Sequence, residues 1–358
     1  MQSSSSLLPH TLSIVLGLGG LSLLAVAACS SEDDAGTPGT PVTTGGTATV
    51  DGGGGGGGEG GTGATDGATL PDGAADMSEV QKRKAQMLTS FWENDTTVFQ
   101  YAFARNNNDG YGYTSGRVGF TTSTGDSADV VKCFDLAFTG AGNLMKKYEA
   151  ALLALQKKQQ DTGMIQGSTA TIDAIGNYPA DWKTTATNAA TAPAFNKCQD
   201  ELVDSIYWAP TLPVMKKWGL TSALARASIY DAYVVHGESN VSDLAAQTND
   251  DVGNSMQKPA TAPLTEAQES TWLEAFHLRR VALLNSSGAW RSAIARGANY
   301  ERIRRDANFD FSKPIVTDAT ASVIFPGKGY PSNGYQACVI HPDGSVTGDP
   351  VCTAPTSN

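Results

Sequence analysis

Two acidic residues, Glu93 and Asp109, stand in contrasting sequence settings that suit acid–base chemistry. Glu93 ends an apolar stretch, SFWEN, in which Phe91 and Trp92 can provide the low-polarity surroundings that keep a carboxylic acid protonated. Asp109 lies in NNNDGYGYTSG, a glycine-punctuated loop that exposes its carboxylate to water. A proton-donating acid and a water-activating carboxylate together meet the needs of glycosidic hydrolysis. Spacing alone makes the pair only compatible with that role, because a Glu on an amphipathic helix usually faces solvent.

Apolar periodicity predicts the elements that would position the two acids. A helix over 79–105 would carry Glu93, a turn over 106–112 would carry Asp109, and extended structure follows near 113–125. Residues 312–358 have weak periodicity and are rich in Gly, Pro and polar residues. We expect a mainly α-helical (α+β) fold with a small extended or β element near 113–125. The further predicted helices cover 127–160, 193–208, 211–236, 264–284 and 285–311.

The N-terminus has the features of a lipoprotein signal peptide over residues 1–28. Residues 12–28 are apolar or small and uncharged, and the run is shorter than the roughly 20 residues that a membrane-spanning helix needs. Val26-Ala27-Ala28-Cys29 has the form of a lipobox, which makes Cys29 the predicted site of lipid attachment. The alternative is an ordinary cleaved signal peptide with a chance Cys. Both predict export, with the protein lipid-anchored to the cell envelope or secreted.

A Gly-rich segment over 29–76 is predicted to be a disordered linker, since it offers almost no aliphatic side chains to bury. Residues 1–76 hold 8 of the 36 acidic residues and no Lys or Arg. The remaining 28 acids face 25 bases, so the net charge of −11 falls to −3 for the rest of the chain. A cationic substrate would therefore have to be recognised by local carboxylates. Nucleic acid is disfavoured as a partner, because no basic stripe is present.

Four cysteines remain after Cys29, and export permits disulfides. Four cysteines allow three pairings. We favour Cys338–Cys352 in the Gly/Pro-rich tail and Cys133–Cys198 in the body, with the other pairings left open. No cysteine pair has the close spacing of a zinc site, and the histidines are scattered, so we expect neither a metal nor another cofactor.

The stretch LTSFWENDTTVFQYAFARNNNDGYGYTSGRVGFTTSTGD (88–126) resembles the N-terminal signature of the chitosanases of glycoside hydrolase family 46. That signature has a Glu-Asn after a helix, an aromatic run, Asp-Gly-x-Gly-Tyr-Thr-x-Gly, Gly-Phe and a closing Thr-Gly-Asp. The resemblance covers roughly 80–315, which we take as a catalytic domain over 77–315, followed by a C-terminal irregular extension over 316–358 that a disulfide could staple. Later segments that resemble the family in the same order are CQDELVDSIYW (198–208), SIYDAYVVHG (228–237), ESTWLEAFHLRRVALL (269–284) and ARGANYERIRRDANFDF (295–311).

The resemblance implies roles for individual residues. Glu93 matches the general acid, Asp109 the general base, and Thr114 the residue that holds the attacking water. Asp126, which closes Thr-Gly-Asp, matches a carboxylate that binds a glucosamine ammonium. Further matches are a buried ion network behind the acid, formed by Asp231, Arg280 and Arg296, and a contact of His236 with substrate. Independently of the resemblance, Tyr101 could stack on a sugar of the substrate. Because Arg279 and Arg291 are neighbours, the register of the two network arginines stays open; Tyr101 and His236 could equally be structural.

Taken together, the resemblance implies an endo-acting, inverting hydrolase of β-1,4 bonds in chitosan. It further implies a two-lobed, lysozyme-like fold with a substrate cleft between the lobes. Chitosan or glucosamine oligosaccharides would be the ligand of a monomer that contacts a membrane only through its lipid. One departure is Tyr111, where the family usually has Arg, and Tyr111 could reshape a substrate subsite. The alternatives are therefore a related hydrolase acting on partly acetylated chitosan or peptidoglycan-like glycans, and a non-catalytic surface lipoprotein that binds polysaccharide.

Overall fold

The computed structural model describes residues 77–163, 167, 169–253, 262–286, 293–317, 324–328 and 337–354. The predicted signal peptide and linker, including Cys29, lie outside the described residues. The described part is mainly α-helical, as predicted. Its α-helices are α1 (Glu79–Asn94), α2 (Asp126–Ala137), α3 (Glu149–Thr162), α4 (Ala170–Asp173), α5 (Tyr178–Thr187), α6 (Ala192–Val203), α7 (Thr211–Trp218), α8 (Ala223–Asp251), α9 (Glu266–Ser286) and α10 (Ile294–Arg305).

Helix α1 begins at a capping box and ends earlier than predicted. The Ser78 hydroxyl accepts from the Gln81 N–H at 3.2 Å, while the Gln81 side chain accepts from the Ser78 N–H at 2.9 Å. The helix ends at Asn94, because Asp95 adopts a left-handed conformation with φ 56°. The β-branched run 96–98 then favours extended backbone over helix. The prediction of one helix to 105 was therefore wrong beyond Asn94.

Two small antiparallel sheets accompany the helices. Strands β1 (Ala104–Asn106), β2 (Tyr113–Ser115) and β3 (Phe120–Thr121) form the first, in the order β1-β2-β3. It contains the predicted β element near 113–125. The second sheet, which the weak periodicity of the tail did not reveal, has the order β4-β5-β6 and is formed by β4 (Ile315–Val316), β5 (Cys338–Ile340) and β6 (Val346–Gly348).

The elements pack in two groups. The first sheet lies with α2, α3, α5 and α6, whereas α1, α7, α9 and α10 surround α8. Helix α8 is the centre of the second group, and every residue from Ala223 to His236 is buried. At Gly237 the backbone leaves helical geometry, with φ 74° and ψ 170°, so α8 is two helical segments joined at a kink. Only glycine adopts this backbone conformation without strain.

Glycines also divide two of the helices predicted as continuous. The stretch 127–160 separates into α2 and α3 around a loop that contains Gly140 and Gly142. The stretch 211–236 breaks after Trp218, where Gly219 takes φ 69° and ends α7. Within the described ranges, no helix combines the length and apolar character needed to cross a membrane.

Both disulfides form in the favoured pairing. Cys133–Cys198 joins α2 to α6, and Cys338–Cys352 joins β5 to a 3₁₀ turn over Pro350–Thr353.

Candidate active site

Glu93 lies in the last turn of α1, where its side chain is only 15% exposed. Its Oε1 atom accepts a hydrogen bond from Nη1 of Arg296 on α10, which forms an ion pair. Helix α1 therefore brings the carboxylate to the surface of the second helical group, and α10 supplies the cation that fixes its direction.

Asp231, on the buried half of α8, is the hub of the ion network. Its carboxylate accepts from Arg296 Nε at 2.8 Å and Nη2 at 2.7 Å, from Arg280 Nη2 at 2.5 Å, and from the Thr89 hydroxyl at 2.7 Å. Burial by itself raises the pKa of the Asp231 carboxyl, but the Arg296 and Arg280 charges outweigh it and hold the pKa well below its usual range. Asp231 is thus a permanent anion in the core.

The register of the arginines follows from this geometry. Arg280 is fully buried against Asp231, whereas its neighbour Arg279 points outward and pairs with Asp251 at the surface. His236 is also buried, just before the kink in α8. Its burial, with the Arg280 and Arg296 charges, lowers the pKa of the imidazole to about 3, so His236 is neutral at pH 7.

Asp109 lies in the exposed loop between β1 and β2, apart from the buried network. One of its oxygens accepts the backbone N–H of Tyr111 at 3.0 Å, a bond that holds the carboxylate in a tight turn. Gly110 and Gly112 flank Tyr111 with φ 88° and φ 75°, a backbone that side-chain-bearing residues rarely adopt. The loop therefore presents an accessible carboxylate with one oxygen fixed, and Tyr111 itself is half-buried beside it.

Thr114, the predicted water holder, is a buried residue of β2, paired with Arg105 of β1 and Thr121 of β3. Its Oγ1 atom has no hydrogen-bond partner among the described residues. A buried hydroxyl normally has a partner, so this atom has hydrogen-bonding capacity to offer a small polar ligand.

Asp126 is the first residue of α2 and is half-buried. Its Oδ1 atom accepts from the Thr121 N–H at 3.0 Å and from the Thr124 hydroxyl. Burial raises the pKa of Asp126 to about 6, and the Thr124 and Thr121 hydrogen bonds limit that rise. The turn before α2 thus holds one carboxylate oxygen in place.

Tyr101 is partly buried and packs against the hydrophobic core. Its hydroxyl donates to Asp200 of α6, at 2.8 Å to Oδ1, and Arg117 also pairs with that carboxylate. Tyr101, Arg117 and Asp200 line a cleft of about 370 Å³. Residues of the N-terminal part of α1, including Lys82 and Gln86, line the same cleft. Tyr101 is therefore fixed in a polar network, which limits its freedom to stack on a sugar.

Sequence reasoning missed Tyr207, a half-buried residue that interacts electrostatically with two predicted functional acids, Asp126 and Glu93. Burial is the main cause that raises its pKa, and the charges of Asp126 and Glu93 add to it. Tyr207 belongs to a π-helical turn over Asp204–Trp208, closed by the Ala209 N–H donating to the Asp204 carbonyl at 2.7 Å. Such turns shift side chains off the regular helical faces and often occur at functional sites. The IYW aromatic run in the sequence was the available signal.

Within the described part of the chain, the group of close potential metal ligands is Cys133, Cys198 and Glu201. The two sulfur atoms are bonded to each other, so neither is a thiolate ligand.

A helix-borne carboxylate backed by a buried arginine and a second, exposed carboxylate on a glycine-rich loop are the two kinds of acidic group that a paired-carboxylate hydrolase needs. The family model described as "Glycosyl hydrolase family 46" matches residues 87–315. The chain belongs to that family and is a glycosidase.

Curated relatives and solved structures agree with the family assignment. The chain is 33% identical to a chitosanase from Bacillus subtilis (strain 168) over 253 residues, which cover 68% of this chain and 83% of that protein. It is 28% identical to a chitosanase from Nocardioides sp. (strain N106) over 257 residues, 69% of this chain and 84% of that protein. The structure resembles that of a mutant chitosanase from Bacillus subtilis MY002 complexed with 6 GlcN. The TM-score is 0.57 at 29% identity, covering 74% of this chain and all of that one.

Proposed function

We propose that this protein hydrolyses chitosan in an endo-acting, inverting reaction, with Glu93 as general acid and Asp109 as general base. The observation that carries the proposal is that Arg296 forms ion pairs with both Glu93 and Asp231 in a chain that belongs to family 46. The chitosanase relatives and the chitosanase bound to 6 GlcN support chitosan as the substrate class.

Glu93 would donate its proton to the leaving glycosidic oxygen. Arg296 directs the Glu93 carboxyl group while three hydrogen bonds to Asp231 already match its positive charge. The guanidinium stays protonated under all ordinary conditions and cannot exchange the proton itself. Glu93 therefore has a rigid support, and the proton that is transferred would come from Glu93 and not from Arg296.

Asp109 would take the proton from a water that attacks the opposite face of the sugar. Its exposed carboxylate suits a base that must contact solvent, and the bond from the Tyr111 N–H leaves the second oxygen for water. The free hydroxyl capacity of Thr114 suits a residue that orients that water. Attack by water from the face opposite the leaving group inverts the anomeric carbon.

Asp126 and Tyr207 would bind the substrate beside the acid. A carboxylate at Asp126 forms a charge-assisted hydrogen bond to a glucosamine ammonium, which an acetylated sugar cannot provide. Tyr207, which interacts electrostatically with Asp126 and Glu93, would add a hydroxyl group to this contact.

Three measurements test the function. Glu93→Gln should lower kcat on a glucosamine oligomer by about 10²–10⁴-fold, because it removes the transferable proton, and should leave oligomer binding largely intact. Glu79→Gln, a change at the opposite end of the same helix, is the matched control and should keep wild-type kcat. Proton NMR of the first product should show the α-anomer; a β-anomer would contradict inversion. Absence of new reducing ends from chitosan would favour a binding protein instead.

We further propose that the protein is exported and held at the cell envelope by a lipid on Cys29, from the lipobox in the sequence. Wild-type protein should incorporate labelled palmitate during expression in a bacterial host, and Cys29→Ser should not. Equal labelling of the two proteins would contradict the anchor.

A further inference from the structure

The chain after Val316 lies beyond the residues that match the family, yet it packs against the helix that carries Glu93. We propose that residues 337–354, the C-terminal clamp, position the catalytic acid and that the Cys338–Cys352 disulfide holds the clamp in shape. This inference rests on the proposed role of Glu93. The clamp residues are positioning residues, since they touch the elements around Glu93 and not the carboxylate.

Hydrogen bonds join the clamp to the turn that follows Glu93. The Thr97 N–H and hydroxyl both donate to the Cys352 carbonyl, at 3.2 Å and 2.6 Å. The Thr96 hydroxyl donates to the Ala354 carbonyl at 2.7 Å. Both threonines are buried. The turn that follows α1 is therefore held by backbone atoms of the clamp in addition to its own helix, where the Asp95 N–H donates to the Phe91 carbonyl and the Ser90 hydroxyl donates to the Val98 carbonyl.

Apolar packing joins the clamp to the two residues that precede Glu93. Phe91, only 2% exposed, forms a cluster with the disulfide sulfurs of Cys338 and Cys352, and Trp92 packs against it. The sequence predicts that Phe91 and Trp92 provide low-polarity surroundings for the Glu93 carboxyl group; the structure shows in addition that they pack the acid-bearing turn against the clamp. Glu93 is thus held in place by clamp contacts of the residues that precede it and of the residues that follow it in the chain.

The clamp is also linked, through β4, to α10, the helix that carries the arginine directing Glu93. Asn299, one turn after Arg296 on α10, accepts from the Trp92 indole N–H at 3.2 Å and donates to the Val316 carbonyl at 2.7 Å. Val316 belongs to β4, which pairs with β5 of the clamp. The acid and its arginine are therefore tied to one small sheet, which fixes their relative position.

The Cys338–Cys352 disulfide stabilises this small sheet. Strands of two or three residues are too short to be stable alone. The Cys338–Cys352 bond closes a short loop, with a sequence separation of 14, and so limits the unfolded conformations of the clamp. Because misplacing a catalytic group by about 1 Å can cost about 10²-fold in rate, loosening this sheet should affect turnover.

Thr97→Val tests the clamp without breaking the disulfide. It removes one hydroxyl bond to the Cys352 carbonyl, and we expect kcat on a glucosamine hexamer to fall about threefold or more, with KM within about twofold. Thr97→Ser, which retains the hydroxyl, should restore kcat. The matched control is Thr191→Val in the other helical group, which removes an equally buried hydroxyl bond of 2.7 Å to a backbone carbonyl. It should lower the melting temperature similarly and leave kcat unchanged.

Removal of each disulfide in turn provides a second comparison, with a larger expected effect on kcat. Cys338→Ser with Cys352→Ser should lower kcat about tenfold or more, whereas Cys133→Ser with Cys198→Ser should leave kcat within about twofold. If the first variant does not fold, the Thr97 and Thr191 variants decide. Equal effects on kcat in the two helical groups, or none at Thr97, would overturn the proposal. Wild-type turnover in Glu93→Gln would instead reject the acid itself, so the two failures are distinguishable.

Discussion

Asp231→Asn should strongly destabilise the fold, because it leaves two arginines facing a neutral amide in the core. The Asp231 carboxylate and the Arg280 side chain are fully buried, and Arg296 is 4% exposed. Removing one partner of such a buried pair costs about 3–5 kcal/mol. At roughly 2–4 °C per kcal/mol for domains of this order of size, the melting temperature should fall by about 10 °C.

The assay is thermal unfolding followed by circular dichroism at pH 7. The matched control is Asp251→Asn, which removes an exposed partner of Arg279. A surface ion pair contributes about 0–1 kcal/mol, so this control should change the melting temperature by at most about 4 °C. Equal, small changes in both variants would refute the claim that the buried network stabilises the fold.

The difference in stability between wild type and Asp231→Asn should depend on pH in one direction only. Because the folded pKa of Asp231 lies below its unfolded value, ionised Asp231 stabilises the folded state at any pH above the usual Asp range. That contribution is lost as pH falls from about 4 toward the lower folded pKa. The gap in stability between wild type and Asp231→Asn should therefore be constant from pH 5 to 7 and shrink below about pH 4. A gap that widens toward low pH would contradict the assignment.

Three further changes test the parts around the acid. Burial raises the pKa of Asp126 to about 6, so the carboxylate loses its charge and the KM for a glucosamine oligomer should rise as pH falls through about 6. Asp126→Asn should have a high KM that does not change at this pH. If the dependence of KM on pH is the same in Asp126→Asn as in wild type, Asp126 does not bind the ammonium group. Gly167→Ala would place a methyl group against the Gly110 carbonyl oxygen, in the loop that carries Asp109, and should lower kcat. Gly142→Ala, whose methyl group would make only ordinary contacts, should leave kcat unchanged. Equal kcat values in the two variants would contradict a tight fit between Gly167 and the Asp109 loop. Tyr111→Arg adds a cation beside Asp109 and should move the acidic limb of the kcat/KM profile to lower pH, while Tyr111→Phe should leave it in place.

The sequence predicted the parts of the site that rest on ordered motifs. Glu93, Asp231, Arg280 and Arg296 lie far apart in the chain, and spacing alone could not join them. Their place in the family order did so, and the helices then brought them into one network. The register at Arg280 could not be decided from helical spacing, because Arg279 beside it fits an amphipathic helix equally well.

The elements that the sequence missed have local physical causes. Val98 and Phe99 fit helical spacing, but the left-handed Asp95 ends α1 first, and a left-handed Asp has no periodic signal. Strands as short as those of the second sheet carry no alternation to detect. Tyr207 was missed because a π-helical turn displaces it from the face that regular helical spacing assigns.

The kink at Gly237 divides α8 into parts with different exposure to solvent. The segment Ala223–His236 is buried on every side, while exposed residues recur from Glu238 to Asp251. Amide protons of a wholly buried segment exchange with deuterium only when the whole domain opens, whereas a half-exposed segment can fray by itself. The interruption at Gly237 lets the outer segment fray without breaking the hydrogen bonds around Asp231. Deuterium uptake should therefore change abruptly at Gly237, within what is nominally one helix.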